Sequence, residues 1–513
     1  MQTNFLDYTP DQLQLPLSYG DIIPKDHLVR VVNTIVDELD LSTLYDRYPG
    51  GGRPAYHPQM MLKVMIFAYS QKTYSSRQIA KALRENINFI WLSGGNTPDF
   101  RTINRFRSDM KDVIEDVFYE VVRFLLQHGY IRLDNYFLDG TKIEANAGRY
   151  TFVWNKAVKN HDRKLDEKIR DHLSQIDRIV AEENAIYLDE DLEELGAPAS
   201  ITSEQLRGVV ESIDEHLQNA PRDRGLKKLS RRFRKDFLPR KLKYEEAERI
   251  FDGRNSYSKT DHDATFMRMK EDHMLNGQLK PGYNIQMGTE NDFIIGFTIH
   301  PNPTDTKTMI PHLEHVRKRL GGLPKNVIAD SGYGSEENYE YLDGEDINAY
   351  VKYNKFHWEK KKKNRENIFL TDNLKYDEPS DSYLCPIGRP MPHIGRRRYV
   401  TDAGYETFRD YYRCTDCSDC PFSDTCKDCN GPRTIRVSHR LNELKVKANG
   451  LLCSECGIEL RKRRVCEVEQ TFGRIKCCWG FRRFLLRGKP KVMVEWGLLS
   501  MAHNITKIAV AKE

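Results

Sequence analysis

The chain has 513 residues, 39% of them hydrophobic and 30% charged, so it exceeds the usual span of one domain and carries a heavily solvated surface. No apolar run approaches the roughly 20 residues that cross a bilayer, and the start MQTNFLDYTPDQLQL lacks the basic and apolar regions of a secretion signal; both argue against a membrane or exported protein and predict a cytoplasmic location. The net charge of +5 conceals two basic stretches, Arg222 to Lys243 with eleven Lys/Arg against two Asp and Cys453 to Lys491 with eleven against four Glu; either alone reads equally well as a solvated helix face, but together they favour a nucleic acid partner.

In chain order, Arg53 to Arg107 reads as a compact helical unit. One helix follows His57-Pro58, with proline at the tolerated first position and Met60, Met61, Val64, Met65, Phe67 and Ala68 at helical spacing. A second starts at Ser75, where Ser75 and Gln78 resemble a capping box ahead of Ile79, Ala80 and Leu83. After the break Gly94-Gly95-Asn96, Thr97-Pro98-Asp99 opens a third helix that turns Phe100, Ile103 and Phe106 inward and sets Arg101, Arg105 and Arg107 around it. Three short helices with a basic last one resemble a helix-turn-helix DNA reader, the alternative being a helical scaffold with a basic surface.

A short strand, Tyr136-Phe137-Leu138, ends at Asp139-Gly140. From Trp154 to Ile250 the pattern is polar and helical, with Leu165, Ile169, Leu173, Ile176 and Ile179 spaced by three and four, and predicts a helical hairpin or coiled arm inserted into the fold. Strands return at Tyr283 to Gln286 and Phe293 to Ile299 around the turn-like Thr289 to Asp292, followed by a helix from Met309 to Leu320 and the strand Asn326 to Ala329, which reaches Asp330. This order fits a mixed α/β sheet with carboxylates at strand ends.

YFLD and VIAD share a design: each aspartate follows a short apolar strand and precedes a small residue, so each is held rigidly. Hard cations such as Mg²⁺ prefer oxygen ligands, and two such ions serve phosphoryl transfer by activating one oxygen and stabilising another. A third carboxylate completes the set. In RRVCEVEQTFGRIK, read as a helix with Val465, Val468, Phe472 and Ile475 inward, Glu469 stands two turns from Lys476 on one face, whereas Glu467 is turned away from that lysine; Glu469 is favoured, with Glu467 its competitor.

The chain has eleven cysteines, six of them between Cys385 and Cys429. In a chain without an export signal, the run Cys414, Cys417, Cys420, Cys426 and Cys429 points to thiolate ligands for tetrahedral Zn²⁺ rather than disulfides, the alternative being free buried thiols. Cys453 and Cys456 form a more isolated pair. Beyond Lys476, Phe481 to Gly488 interleaves Arg482, Arg483 and Arg487 with apolar anchors, a composition suited to gripping DNA backbone while packing on a core. His503 and Asn504 read as packing or capping residues.

The blocks YFLDGTKIEANA, GYNIQMGTENDF, NPTDTKTMIPHLEHV, VIADSGYGSEEN and RRVCEVEQTFGRIK, with GFRRFLLRG and EWGLLSMAHNITKI, resemble those of bacterial insertion-sequence DDE transposases with an RNase H-like catalytic domain. RPAYHPQMMLKVMIFAYSQKTYSSRQIAKALREN is similar to their N-terminal helical domain, and the cysteine block resembles the insertion sequence 1182 type. The resemblance implies an α/β fold in which an RNase H-like mixed-sheet core (residues 126–153 and 251–350) follows a helical DNA-binding domain (1–125). A helical insertion (154–250), a cysteine-rich zinc-binding insertion (351–450) and C-terminal core helices (451–513) complete it. It further implies Asp139, Asp330 and Glu469 as the acidic triad, two Mg²⁺ or Mn²⁺ ions, and Lys476 and Arg464 as supporting basic residues, with Arg463 the alternative to Arg464. Cys385, Cys417, Cys420 and Cys426 are the zinc ligands it favours, with Cys414 and Cys429 in reserve. The implied partners are double-stranded DNA, as terminal inverted repeats and target, and further copies of the chain in a homodimer or higher synaptic assembly at the bacterial nucleoid. A DNA-binding protein with a vestigial triad, and a nuclease without joining activity, are the competing readings.

Overall fold

The computed structural model describes residues 18–48, 55–184, 200–219, 223–269, 277–401, 404–427 and 431–511; Arg53, Arg222 and Cys429 lie outside them, as does the side chain of Ile179. The chain divides into two compact units, Met1–Ile143 with Asn284–Glu513, and Glu144–Tyr283. No described helix is long and apolar enough to cross a membrane.

The first unit opens with helices. Pro58–Ser70 starts at Pro58 as the sequence predicts, but Met61 to Tyr69 are all buried, so this helix is enclosed rather than amphipathic, packed between Leu28–Glu38 and the long C-terminal helix Lys489–Ala511. Ser76–Glu85 follows Ser75, whose side chain makes no cap hydrogen bond, so the predicted capping box does not form. A helix the sequence reading missed, Ile87–Leu92, is capped by Asn86, which accepts from the Asn88 amide at 2.9 Å, and buries Phe89 and Leu92. Phe100–Asp109 is capped by Asp99 and turns Ile103 and Phe106 inward. Arg101 and Arg105 are exposed on it, but Arg107 is only 3% exposed and donates to the Tyr74 carbonyl at 2.9 Å and to Asn104 at 2.6 Å. Its predicted place on a DNA-facing surface is therefore corrected: the guanidinium is buried, and its two Nη groups donate inside the helical unit.

Five strands of a six-stranded mixed sheet, β1 (Asn135–Glu144), β2 (Leu279–Glu290), β3 (Phe293–His300), β4 (Asn326–Ala329) and β5 (Asn348–Val351), run in the order β3-β2-β1-β4-β5, and the sixth, Thr265–Arg268, pairs antiparallel with Leu279–Gly282 at the start of β2. β2 and β3 form an antiparallel hairpin, whereas β4 runs parallel to both β1 and β5. The hairpin turns at Asn291 and Asp292, both at positive φ (54° and 61°), a conformation that asparagine and aspartate tolerate better than most residues. β1 is longer than predicted and continues through Asp139 to Glu144.

Two buried polar devices fix this sheet. Glu290 at the end of β2 accepts four backbone N–H groups, from Arg132, Leu133, Asp134 and Asn135, at 2.8 to 3.0 Å, pinning the entry to β1. Tyr136 lies against Gly288, where a Cβ would sit 1.8 Å from its ring, and its hydroxyl meets His312 Nε2 at 2.7 Å, tying helix Met309–Leu320 to the strands. Asn504, buried in the C-terminal helix, accepts from the Ile294 amide and donates to the Ile294 carbonyl, both at 2.8 Å, which is the packing role its sequence context suggests.

The cysteine block is not loops alone. β6 (Lys375–Asp377), β7 (Ser382–Leu384), β8 (Pro390–Val400), β9 (Glu406–Arg413) and β10 (Thr434–Val437) form a second, antiparallel sheet in the order β10-β9-β8-β7-β6. Buried Glu336 accepts from Thr407 at 2.6 Å and from Arg409 and Ser438 at 3.1 Å each, anchoring that sheet to helix Glu336–Gly344.

The second unit is mainly helical. Asn155–Asn184, Ser203–Asn219 and a continuous helical run from Arg224 to Phe251 pack around Leu165, Ile169, Leu206, Phe233 and Phe237, so the insertion is a three-membered bundle rather than a two-helix hairpin. A short strand pair, Phe152–Trp154 with Ser256–Ser258, accompanies it.

Candidate active site

Three carboxylates far apart in the chain gather around one guanidinium. Asp139 in β1 is buried, Asp330 immediately follows β4, and Glu469 projects, exposed, from the helical segment after Arg464. The parallel pairing of β1 with β4 carries the two aspartates to the same edge of the sheet. Arg464 donates to Glu469 Oε1 at 2.7 Å and reaches Asp139 Oδ2 at 3.2 Å and Asp330 Oδ2 at 3.9 Å. The Gly140 amide donates to Asp139 and the Gly332 amide to Asp330, each at 2.8 Å, which fixes the two carboxylates from behind.

The helical segment carrying Glu469 is irregular, with π turns at Val465–Glu469 and Arg474–Cys478. Val468, Phe472 and Ile475 point inward as predicted; Val465 is exposed, because the π turn breaks the regular spacing. Glu467 is buried and accepts from the Asp292 amide at 2.7 Å and from Arg463 at 2.9 Å, so both residues are committed to the β2–β3 turn. Lys476 is buried in the second π turn.

Two neighbours escaped the sequence reading. Asp305, on the loop after β3, accepts from Asn284 at 2.8 Å and Gln286 at 2.9 Å, and only the absence of a side chain at Gly140 lets it approach, since a Cβ there would lie 2.5 Å from Asp305 Oδ1. Burial first, then the charges of Asp305, Asp139 and Asp330, push the Tyr333 phenol far above its usual range, so it stays protonated and donates to Gln286. Lys352 directly follows β5 as Asp330 follows β4; burial and then the charges of Arg464 and Arg461 hold its pKa below the usual lysine range. Asp305 lies in the block NPTDTKTMIPHLEHV, where nothing local gave it a role, and Lys352 lies in no such block; the pairing of strands distant in sequence brings them near the three carboxylates.

Among the described residues no group of three or more His, Cys, Asp or Glu side chains is arranged to hold a metal ion. At the triad a guanidinium stands among the carboxylates instead. In the second sheet, Cys385, Cys414, Cys417, Cys420 and Cys426 line one small cleft, where Arg433 donates to Cys426 Sγ at 3.1 Å and the Arg389 amide to Cys385 Sγ at 3.3 Å. Burial pushes the Cys414 thiol up to about 12. Cys453 and Cys456 are exposed and have different neighbours, Lys360 at 3.1 Å and the Tyr350 hydroxyl at 3.9 Å. Arg482, Arg483 and Arg487 are exposed while Phe481 and Phe484 are buried, so basic and apolar side chains point opposite ways along this segment.

Residues 17–109 match the family model of a transposase domain, and residues 384–509 match that of a transposase DDE domain. No curated protein matches the chain. With a helical transposase domain at one end, a transposase DDE domain at the other and a mixed sheet between them, the chain has the make-up of a DDE transposase, whose activity is DNA cleavage and strand transfer, with the dependence on divalent metal ions that the DDE domain implies.

Proposed function

We propose that Asp139, Asp330 and Glu469 are the acidic triad of this transposase, on an RNase H-like core of the insertion sequence 1182 type. The observation that carries the reading is the single guanidinium of Arg464 in reach of all three carboxylates. A cluster of carboxylates that holds a cation is a donor set of the right chemistry for hard divalent ions, and Arg464 stands in for such a cation here. Bound at the triad, two Mg²⁺ or Mn²⁺ ions supply the charge that activates an attacking oxygen and stabilises a leaving one in strand cleavage and joining.

The chain's own residues do the rest. β1 and the Gly332 amide hold Asp139 and Asp330 rigid, so little reorganisation is needed when a phosphate arrives. Lys476, Arg464 and Lys352 place positive charge where the phosphodiester's charge builds up. Arg463 does not substitute for Arg464, because it is paired with Glu467. Arg101, Arg105, Arg482, Arg483 and Arg487 contact the backbones of the terminal inverted repeats and the target. The active form is a homodimer or higher synaptic assembly working at the nucleoid.

A structural zinc ion at the cysteine cleft of the second sheet is part of the same proposal. Cys385, Cys417, Cys420 and Cys426 are its proposed ligands, with Cys414 and Cys429 in reserve, because four thiolates are the donor set of a structural zinc site. The second unit, Glu144–Tyr283, is the proposed insertion between the two parts of the core, with wider bounds than the 154–250 expected from sequence.

Incubating the purified chain with Mg²⁺ and a duplex carrying the element's own ends tests the reading. Nicked products with free 3′-hydroxyls, followed by products joined to target DNA, are expected. Nicking without joining would leave a nuclease; end binding without either would leave a DNA-binding protein with a vestigial triad.

A further inference from the structure

The helical run that begins at Arg224 segregates its charge. Leu226, Leu229, Phe233 and Phe237 are buried, the two phenylalanines against Leu165 and Ile169. With about 100° between successive residues of the α-helix, Arg224, Lys227, Lys228, Arg231 and Arg232 occupy the opposite arc, Arg234 and Lys235 follow in the π turn Phe233–Phe237, and all seven are exposed. Arg234 pairs with Asp214, and Arg232 lies over the Phe237 ring at 5.7 Å. The other five have no carboxylate partner among the described residues, and the nearby acids are otherwise engaged: Asp223 caps the helix by accepting from the Gly225 and Leu226 amides, and Asp236 pairs with Arg240.

This is not the general character of the bundle. Helix Ser203–Asn219 exposes Glu204, Glu211 and Glu215 and mixes both signs, as an ordinary solvated helix does. On the run from Arg224, by contrast, like charges repeat at i and i+4, as in Lys227 and Arg231 or Arg231 and Lys235, a spacing that destabilises a helix standing alone in water. A row of phosphates relieves that repulsion. The arc carries no Asn or Gln to read base edges, so its chemistry is that of backbone contact.

We infer that the outward face of the helix from Arg224 to Lys235 is a sequence-independent clamp for duplex DNA backbone, separate from the arginines of the two terminal regions. The inference rests on the chain being a DNA transposase and not on the triad assignment.

The test uses the full chain in EDTA, with fluorescent duplexes of two kinds, one carrying the element's ends and one scrambled. For Lys227→Ala/Arg231→Ala/Lys235→Ala the expected result is at least tenfold weaker binding to both duplexes at low salt, and a plot of log affinity against log salt shallower by about 2.7, at roughly 0.9 per lost phosphate contact. Lys227→Arg/Lys235→Arg is expected to keep the parent slope, and the alanine variant to melt no lower than the parent. An unchanged slope and affinity overturns the clamp, and a loss confined to the end-bearing duplex overturns its sequence independence. Failure of the parent chain itself to bind duplex DNA overturns the transposase reading and the clamp with it.

Discussion

Arg464 Nη2 lies 3.2 Å from Asp139 Oδ2, and the two side chains are only 10% and 7% exposed. A buried pair of this kind is costly to break, because the partner left behind keeps its charge in a place that water does not reach. Arg464→Gln is therefore expected to lower the stability of the metal-free protein by about 3 kcal/mol. Mn²⁺ should restore more of the melting temperature to the variant than it adds to the parent, since the ion then supplies the missing positive charge. Equal Mn²⁺ shifts in the two proteins would show that Arg464 does not share the ion's place.

Asp139→Asn, Asp330→Asn and Glu469→Gln each remove one charge from the triad while keeping its shape. Each is expected to reduce cleavage at least a hundredfold, the scale of losing one group that stabilises developing charge, with duplex binding in EDTA unchanged. Cleavage within a few fold of the parent for any one of them would remove that residue from the triad.

Glu467 separates a structural role from a chemical one only two residues from Glu469. Its carboxylate is buried and holds the Asp292 amide and Arg463, so Glu467→Gln is expected to destabilise the fold by about 1–3 kcal/mol while cleavage per folded molecule is retained. Chemical denaturation alongside a cleavage assay reads both quantities, and the reverse pattern would exchange the roles of the two glutamates.

Glu495 makes stability depend on pH. Burial raises its pKa from 4.5 to about 7, against the lowering effect of the Leu486 and Leu485 amides and Arg107. Between those two values the unfolded chain has lost this proton and the fold has kept it, so this group's contribution is present below pH 4.5 and is lost as pH rises toward 7. The loss is on the order of 3 kcal/mol, and Glu495→Gln should flatten it, as urea unfolding across that window would register. The same carboxylate accepts the Leu485 and Leu486 amides at 2.9 Å, so the basic loop between Arg483 and Arg487 loosens in the variant if those bonds fail.

The cysteine cleft predicts about one zinc per chain by elemental analysis, and a large loss of it in Cys417→Ser or Cys420→Ser. Asp139→Asn should retain the zinc, because the two sites have no residue in common. Parent protein purified without zinc, yet melting as highly as protein refolded with it, would argue for free thiols.

Much of the sheet and two of the three carboxylates could be read from local pattern. Helix Met309–Leu320 and strand Asn326–Ala329 occur where their apolar spacing places them, because each buries one dense stripe of Met309, Leu313 and Val316 or of Val327, Ile328 and Ala329. Glu469 was favoured over Glu467 on its spacing to Lys476, and the burial of Glu467 supports that choice, whereas the π turn that exposes Val465 could not be read from the spacing. The second sheet was hidden because its longest strand, PMPHIGRRRYV, is mostly exposed and shows no apolar alternation. Arg107 misled for the opposite reason: its sequence context is basic and polar, while the acceptors that bury it come from Tyr74, on the chain preceding the second helix, and Asn104.

The order of the pieces also has a consequence for protein synthesis. The basic helix Phe100–Asp109 emerges from the ribosome long before the segment carrying residue 469, and helix Lys489–Ala511, which packs on Pro58–Ser70, is made later still. A chain cut short by early termination can retain the N-terminal helices and yet lack the third carboxylate and the partner helix of its own core. Such a fragment keeps the exposed Arg101 and Arg105 but not the helix that covers Pro58–Ser70, so the helical unit reaches its packed form only once the chain has been made past residue 489.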